Sequence, residues 1–214
     1  MIRPPAAPAL DALITRIRAC DACLTAPKGS PLPHPPRPVL RVSTTARLLI
    51  ASQAPGNLVN QTGVPFNDPS GDRLRDWLGL DRESFYDVAL IAIVPMGFCF
   101  PGYDRSGADL PPRRECRELW HNRIFDALPQ IETVLAIGRY AQDYHFRRLG
   151  HALPSSASMT QVVSRWSEFG ANRPRLIPLP HPSWRNSGWL KRNPWFEADV
   201  LPALRAEVAR LMKP

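Results

Sequence analysis

The sequence predicts an α/β fold, with four parallel strands in one sheet and helices on both of its faces. Three observations carry this. Short apolar runs at Ala46–Ala51, Val88–Val94, Thr133–Ile137 and Arg175–Leu179 read as strands, and the second is apolar at every position. A strand buried on both faces looks like that. Helical patterns alternate with these runs, the signature of a parallel sheet with right-handed crossovers. The polar loops of interest all follow strand ends, the edge where α/β sheets bind their ligands.

The elements follow in order. Residues 1–8 are rich in Pro and Ala and are expected to be loose. Leu10, Leu13, Ile14 and Ile17 recur at helical spacing, so a first amphipathic helix is expected from Ala9 to Ala19. It leads into Cys20 and Cys23, and residues 9–23 form a helix-plus-CxxC arm. Pro27 to Pro38 is too proline-rich for regular structure and reads as an extended wrap over the surface. The first strand ends at Ala51. A loop of small and amide residues begins at Pro55-Gly56 and runs for roughly twenty residues, well beyond the usual connection. Asp68 or Ser70 caps the next helix, with Pro69 in its first turn, Leu74, Trp77 and Leu78 on its apolar side, and Gly79 at its end.

The second strand ends at Pro95, and a long loop from Met96 to Pro112 follows. A helix over Arg113–Leu128 is expected to bury Cys116, Leu119, Trp120, Ile124 and Ala127. The third strand ends at Gly138, and a helix from Tyr140 to Leu149 comes next. His151 to Arg173 is ambiguous; SASMTQVVSRW suits either a strand or an irregular excursion. The fourth strand delivers Pro180, His181, Pro182 and Ser183 at its carboxyl end. A final helix starts near Asn193-Pro194 and buries Leu201, Leu204, Val208 and Leu211, with a kink expected at Pro202. No internal repeat interrupts the pattern, and residues 1–214 read as one domain.

Composition limits the function classes. Of 214 residues, 44% are apolar and 21% charged, as in an ordinary soluble globular protein. No apolar run reaches the length of about 18 residues that a membrane span needs. The first residues contain no long apolar core of a signal peptide, so a cytosolic protein is expected. The formal charge is +8, and all basic residues except Lys28, Lys191 and Lys213 are arginines. Excess arginine favours a polyanionic partner through bidentate phosphate contacts. A lineage biased toward Arg, Ala and Pro would give the same charge. A reducing cytosol makes disulfides unexpected. The four cysteines, Cys20 and Cys23 as CxxC with Cys99 and Cys116 as a wider pair, match the number needed by a tetrahedral zinc or an iron–sulfur cluster.

Taken together, Ser52-Gln53-Ala54-Pro55-Gly56, Gly63-Val64-Pro65-Phe66, His181-Pro182-Ser183 and the two cysteine pairs resemble the uracil-DNA glycosylase superfamily. The similarity is greatest to its iron–sulfur branch, families 4 and 5, and spans about Ile17 to Arg192. The resemblance implies a three-layer α/β/α sandwich around a central four-stranded parallel sheet, which agrees with the strand count. It implies that Gln53, Ala54, Pro55 and Gly56 form a motif that approaches the flipped base and its sugar. Phe66 would stack on the base. His181 would face the base carbonyl and the departing anion. Ser183, Trp184 and Arg185 would press into the DNA where the nucleotide had been. Cys20, Cys23, Cys99 and Cys116 would hold a structural [4Fe-4S] cluster, with zinc as the alternative. The implied partner is DNA, met through an Arg-rich face by a monomer.

This chemistry suits the residue types. Breaking an N-glycosidic bond builds negative charge on the leaving base, and a donor aimed at the base oxygen stabilises it in a dry pocket. A base within a duplex must first be flipped out and held by stacking and edge hydrogen bonds. The sequence departs from the branch at three places. Gln53 stands where the branch usually has Glu, Asn57-Leu58-Val59-Asn60 lacks the usual acid, and Val94-Pro95-Met96-Gly97 lacks the usual base-reading Asn. Asp68 is the candidate replacement carboxylate, while Gln53, Asn57, Asn60 or Asn67 are the candidate base readers. The expected function is therefore a monofunctional DNA glycosylase acting on a deaminated base, uracil foremost, in base-excision repair. The alternatives are a glycosylase for another deaminated base such as hypoxanthine, or a non-catalytic cluster protein that binds DNA.

Overall fold

A computed structural model describes residues 7–152, 156–170 and 173–213. The loose tail expected over residues 1–8 falls mostly outside that range. Four strands form the sheet: β1 (Leu48–Ala51), β2 (Ile91–Ile93), β3 (Thr133–Ile137) and β4 (Arg175–Leu179). Their order is β2-β1-β3-β4 and every pairing is parallel. Alternate strand residues point to opposite faces, so the sheet divides the core in two. Leu49, Ala51, Ala92, Val94, Val134, Ala136 and Leu176 share one cluster with Leu10, Ile17, Ile124 and Phe146. Leu48, Ile50, Ile91, Ile93, Leu135, Ile137, Ile177 and Leu179 share the other with Leu74, Trp77, Phe196, Leu204 and Val208. Helices cover both faces, and the expected three-layer α/β/α arrangement is the observed one.

The first helix, α1, spans Ala7–Arg18, and a short turn of helix, α2, spans Ala22–Thr25. The expected amide-rich loop after β1 contains a short helix, α3, over Asn57–Thr62. Gly63 closes it in the left-handed region (φ 71°), where its N–H donates to the Val59 carbonyl (2.8 Å). Next, α4 spans Pro69–Leu78 and starts as expected. The Asp68 carboxylate accepts the Gly71 N–H (2.9 Å), Pro69 occupies the first turn, and Gly79 ends the helix at φ 66°. Such a cap contributes about 1 kcal/mol. A short helix, α5 (Arg82–Tyr86), precedes β2.

Three expectations are corrected. Val88 to Leu90 do not belong to the second strand. The Asp87 carboxylate accepts the Ala89 N–H (2.8 Å) and its carbonyl accepts from Leu90 and Ile91, so a side-chain-stabilised turn holds the segment and leaves Val88 exposed. Leu119 is exposed rather than buried. Helix α6 (Arg114–Cys116) passes into a π turn at Arg117–His121 before α7 (Asn122–Asp126). The wider turn slips the helical phase and brings His121 inside in place of Leu119. The ambiguous stretch forms helix α9 (Met159–Ser164), following α8 (Gly138–Arg148). A capping box starts it: the Ser158 hydroxyl accepts the Gln161 N–H, and the Gln161 side chain accepts the Ser158 N–H. The chain ends in α10 (Ser187–Arg192), a π turn at Phe196–Val200, and α11 (Leu201–Leu211), with Pro202 tolerated in the first turn of α11.

The inward π turn has an energetic consequence. His121 and His145 are both fully buried. His121 stacks on Phe98 (5.3 Å, 7°), and both rings meet Phe125 edge-on. Burial holds His121 down at about 4 and His145 well below the usual histidine range. Both are therefore neutral in the folded protein, whereas in the unfolded chain they take up protons below about pH 6.5. The unfolded state binds more protons there, so stability is full above about pH 6.5 and falls as pH drops toward 4. Denaturant unfolding at pH 7.5 and pH 5 should differ by about 2 kcal/mol from His121 alone, with His145 acting in the same direction. An unchanged midpoint would contradict the buried neutral pair.

Candidate active site

The residues at the carboxyl edge of the sheet build two adjoining cavities. Past the ends of β1 and β2 the backbones stay paired. The Met96 N–H donates to the Ser52 carbonyl (2.8 Å), and the Gly97 N–H donates to that of Gln53 (2.9 Å). This holds Ser52-Gln53-Ala54-Pro55-Gly56 against Pro95. An inner cavity of about 80 Å³ lies behind it. Its apolar wall includes Val39, Pro55, Pro65, Phe66 and Pro95; its polar side chains are Ser52, Asp68, Ser70, Asp109 and His181. It suits a single small ring, well below the roughly 300–1,000 Å³ of a drug-sized site. An outer groove of about 620 Å³ opens from it, lined by Gln53, Ser183, Trp184, Arg185 and Asn186, and shares Asp68, Asp109 and His181 with the inner cavity.

Phe66 reaches this position through an unusual backbone. It is the one residue other than glycine with a positive φ (55°) among the described residues. A bulky side chain there is strained, and such strain concentrates at functional sites. Two neighbours hold it. The Arg75 guanidinium donates to the Phe66 carbonyl (3.3 Å), and Gly71 packs so tightly that a Cβ on it would stand 1.8 Å from the same oxygen. The ring meets Phe85 edge-on (6.0 Å, 89°), so Phe66 serves both the core and the cavity wall.

His181 is locked in one tautomer. Its Nδ1 accepts the Ser183 N–H (3.2 Å), which leaves Nε2–H as the ring's donor. Burial pushes it below the usual histidine range and outweighs the opposite pull of Asp68 and Asp109, so the ring is neutral. The motif around it is braced twice. The Asn186 amide donates to the His181 carbonyl (2.7 Å), and Arg73 of α4 donates to the Ser183 carbonyl (3.0 Å) and the Ser187 hydroxyl (3.3 Å). Asp68 sits opposite, with Oδ1 accepting from the Ser70 hydroxyl (2.6 Å) and the Gly71 N–H.

The structure thus brings together Ala54, Pro55, Gly56, Phe66, Asp68 and His181 in the inner cavity. Gln53, Ser183, Trp184 and Arg185 line the outer groove only. The asparagines do not arrive: Asn57, Asn60 and Asn67 line neither cavity. Asn57 and Asn60 are taken up in α3, and the Asn67 amide oxygen accepts from Arg82 (2.9 Å). Trp184 does not pack with Trp189 and Trp195, which meet each other edge-on (5.7 Å) without it; it is 76% exposed. Arg73, Asn186 and Asp109 were not singled out from the sequence, and Ser52 was named only as the first residue of its motif. For Asp109 a signal existed, since a loop as long as Met96–Pro112 is commonly functional.

The four cysteines are all free thiols, with Cys23, Cys99 and Cys116 buried. They come from the end of α1, α2, the loop after β2 and α6. The Trp120 indole N–H donates to Cys20 Sγ (3.3 Å), and the Phe98 N–H donates to Cys116 Sγ (3.4 Å). A hydrogen bond with Cys116 brings the Cys23 thiol down to about 7, and burial pushes Cys99 up to about 12. Arg113 and Glu115 form a buried ion pair (2.7 Å); they hold the segment after the CxxC by accepting the Lys28 N–H and donating to the Ser30 carbonyl. Among the described residues, no group of three or more His, Cys, Asp or Glu side chains is arranged so that it could hold a metal ion. The donor chemistry nevertheless suits a thiophilic centre: four neighbouring thiols, mostly buried, two of them receiving N–H···S bonds.

The family model for the uracil DNA glycosylase superfamily matches residues 41–205. Among solved structures, a provisionally named uracil DNA glycosylase from Methanosarcina acetivorans is 14% identical, covering 77% of this chain and 92% of its own at a TM-score of 0.44. Wild-type SMUG2 of Pedobacter heparinus is 13% identical, covering 76% of each chain at a TM-score of 0.43. The family model alone carries the assignment, and it takes in β1 to β4 and both cavity motifs. The chain belongs to the uracil DNA glycosylase superfamily.

Proposed function

We propose that the protein is a monofunctional DNA glycosylase of base-excision repair that flips out a deaminated base, uracil foremost, and hydrolyses its bond to the sugar. The observation that carries this reading is the pairing of a neutral, tautomer-locked His181 with the Asp68 carboxylate across one ring-sized cavity. As the C1′–N bond lengthens, negative charge gathers on the base oxygen, and the His181 Nε2–H stabilises it without giving up its proton. Positive charge gathers on the sugar, where the carboxylate of Asp68 favours it. Phe66 walls the base. Among the described residues no lysine lines either cavity, which supports hydrolysis rather than Schiff-base chemistry. DNA would cross the outer groove, with exposed Trp184 and Arg185 filling the gap left by the flipped nucleotide.

With no asparagine side chain in the inner cavity, the base edge would meet the Ser52 hydroxyl and backbone groups. Pocket shape then carries more of the selectivity, which favours testing hypoxanthine and xanthine beside uracil. Oligonucleotides bearing each base, single- and double-stranded, should show alkali-labile abasic products for at least one. Retained DNA binding without cleavage of any would instead establish the non-catalytic reading.

Cys20, Cys23, Cys99 and Cys116 are proposed to hold a structural [4Fe-4S] cluster, fastening the N-terminal arm to the loop after β2. Bound there, the cluster would supply cross-linking rather than redox chemistry. Anaerobically purified protein should be brown, with broad absorbance near ~400 nm from thiolate–iron charge transfer. Colourless protein with one zinc per chain would overturn this.

A further inference from the structure

Asp109 has no place in the sequence motifs, yet it lines both cavities alongside Asp68 and His181. A compact hairpin in the loop after β2 brings it there. Tyr103 and Asp109 form an antiparallel bridge, and the Leu110 N–H donates to the Gly102 carbonyl (2.9 Å). At the tip, Asp104 Oδ1 accepts from the Ser106 N–H, the Ser106 hydroxyl and the Ala108 N–H (2.7–2.9 Å). The hairpin lays Asp109 over the first motif, where its Oδ2 stands 4.0 Å from where a Cβ on Gly56 would lie.

The two carboxylates of the cavity differ in what surrounds them. Asp68 has Oδ1 committed to the start of α4. The Asp109 carboxylate accepts no hydrogen bond from the described residues, so both oxygens are open to water. Resting on the glycosylase reading above, we propose that Asp109 is the base that orients and deprotonates the attacking water, taking the role of the acid missing from the segment after Gly56. The water oxygen bonds to C1′ as the C1′–N bond breaks, and that bond's electron pair leaves with the base. The water's proton passes to Asp109, and the products are the free base, protonated from solvent, and an abasic sugar with a 1′-hydroxyl. Asp68 remains an anion beside the sugar, and His181 remains a donor to the base.

Asp109 is an exposed residue overall, but the cavity wall partly desolvates its carboxylate and raises it above the usual range; Arg185 and His181 act in the opposite direction, and the Asp68 charge adds to the rise. These are the groups facing it: Gly56 contributes none, α4 contributes Asp68, and the fourth-strand motif contributes His181 and Arg185. A base must be ionised, so the cleavage rate should fall as pH drops through the Asp109 titration. Single-turnover rates on the cleaved substrate are compared for wild type, Asp109→Asn, Asp109→Glu and His181→Asn, with DNA affinity and melting temperature measured alongside.

Asp109→Asn should cleave roughly 10²–10⁴-fold more slowly at neutral pH, bind DNA within a few-fold of wild type, and lose the acid limb of the pH profile. Asp109→Glu should recover part of the rate, and His181→Asn should be slow but keep the limb. An Asp109→Asn rate within about threefold of wild type, or an intact acid limb in that variant, would overturn the assignment while leaving the glycosylase reading in place. A wild type inactive on every base would overturn both.

Discussion

His181→Asn should lower the rate of base release by ~10²–10³-fold while leaving DNA binding within a few-fold of wild type, the usual cost of removing one preorganised donor to a developing anion. The Ser183 N–H fixes Nδ1 as an acceptor, Arg73 and Asn186 hold the motif that carries the ring, and burial keeps the imidazole neutral. A neutral donor stabilises charge that exists only in the transition state, so the loss should appear in the chemical step and not in affinity. Single-turnover kinetics at saturating enzyme separates the two. An unchanged rate would remove His181 from the chemistry, and a loss of binding alone would make it a DNA contact.

Gly71→Ala should damage both stability and activity without touching any polar group of the site. The new methyl would lie 1.8 Å from the Phe66 carbonyl oxygen, 2.6 Å from its carbonyl carbon and 2.9 Å from its Cβ. All three atoms belong to a residue already at φ 55° and pinned by Arg75. The backbone must move, and overpacking of this kind costs about 3 kcal/mol or more. For a chain of this size that is about 6–12 °C in melting temperature. The displaced Phe66 would open the cavity wall, so base release by the folded fraction should fall as well. A variant with wild-type melting temperature would show that the Asp68–Gly71 turn yields more easily than its packing indicates.

Much of the fold was legible because it rests on local pattern. Leu48–Ala51 and Thr133–Ile137 are central strands and read as unbroken apolar runs. The Asp68-Pro69 start and Gly79 end of α4 are capping chemistry within a few residues of one another. The misreadings have local causes of another kind. Val88 was apolar but was claimed by the Asp87 turn. Leu119 lay on the correct stripe of a regular helix, and the π turn moved the stripe. The amides of Asn57–Asn60 resembled a recognition loop but form a short helix, whose side chains pass the cavity by. His121 and His145 gave no sign in sequence of being core residues, since burial of a histidine depends on which aromatic rings happen to surround it.

By itself the sequence determined the parallel α/β architecture, the edge of the sheet where the cavities lie, and membership of the uracil DNA glycosylase superfamily, the level at which the family match upholds the resemblance. These depend on periodicity and on short motifs, both written into consecutive residues. Only the tertiary structure decided which side chains share the cavity. It excluded Asn57, Asn60 and Asn67, left Gln53 and Trp184 in the outer groove, and brought in Asp109 from a hairpin more than forty residues away. Such convergence depends on the paths of loops between distant strands. Those paths are set by turns, helix phase and packing summed over the whole chain, and no single stretch of sequence encodes that sum.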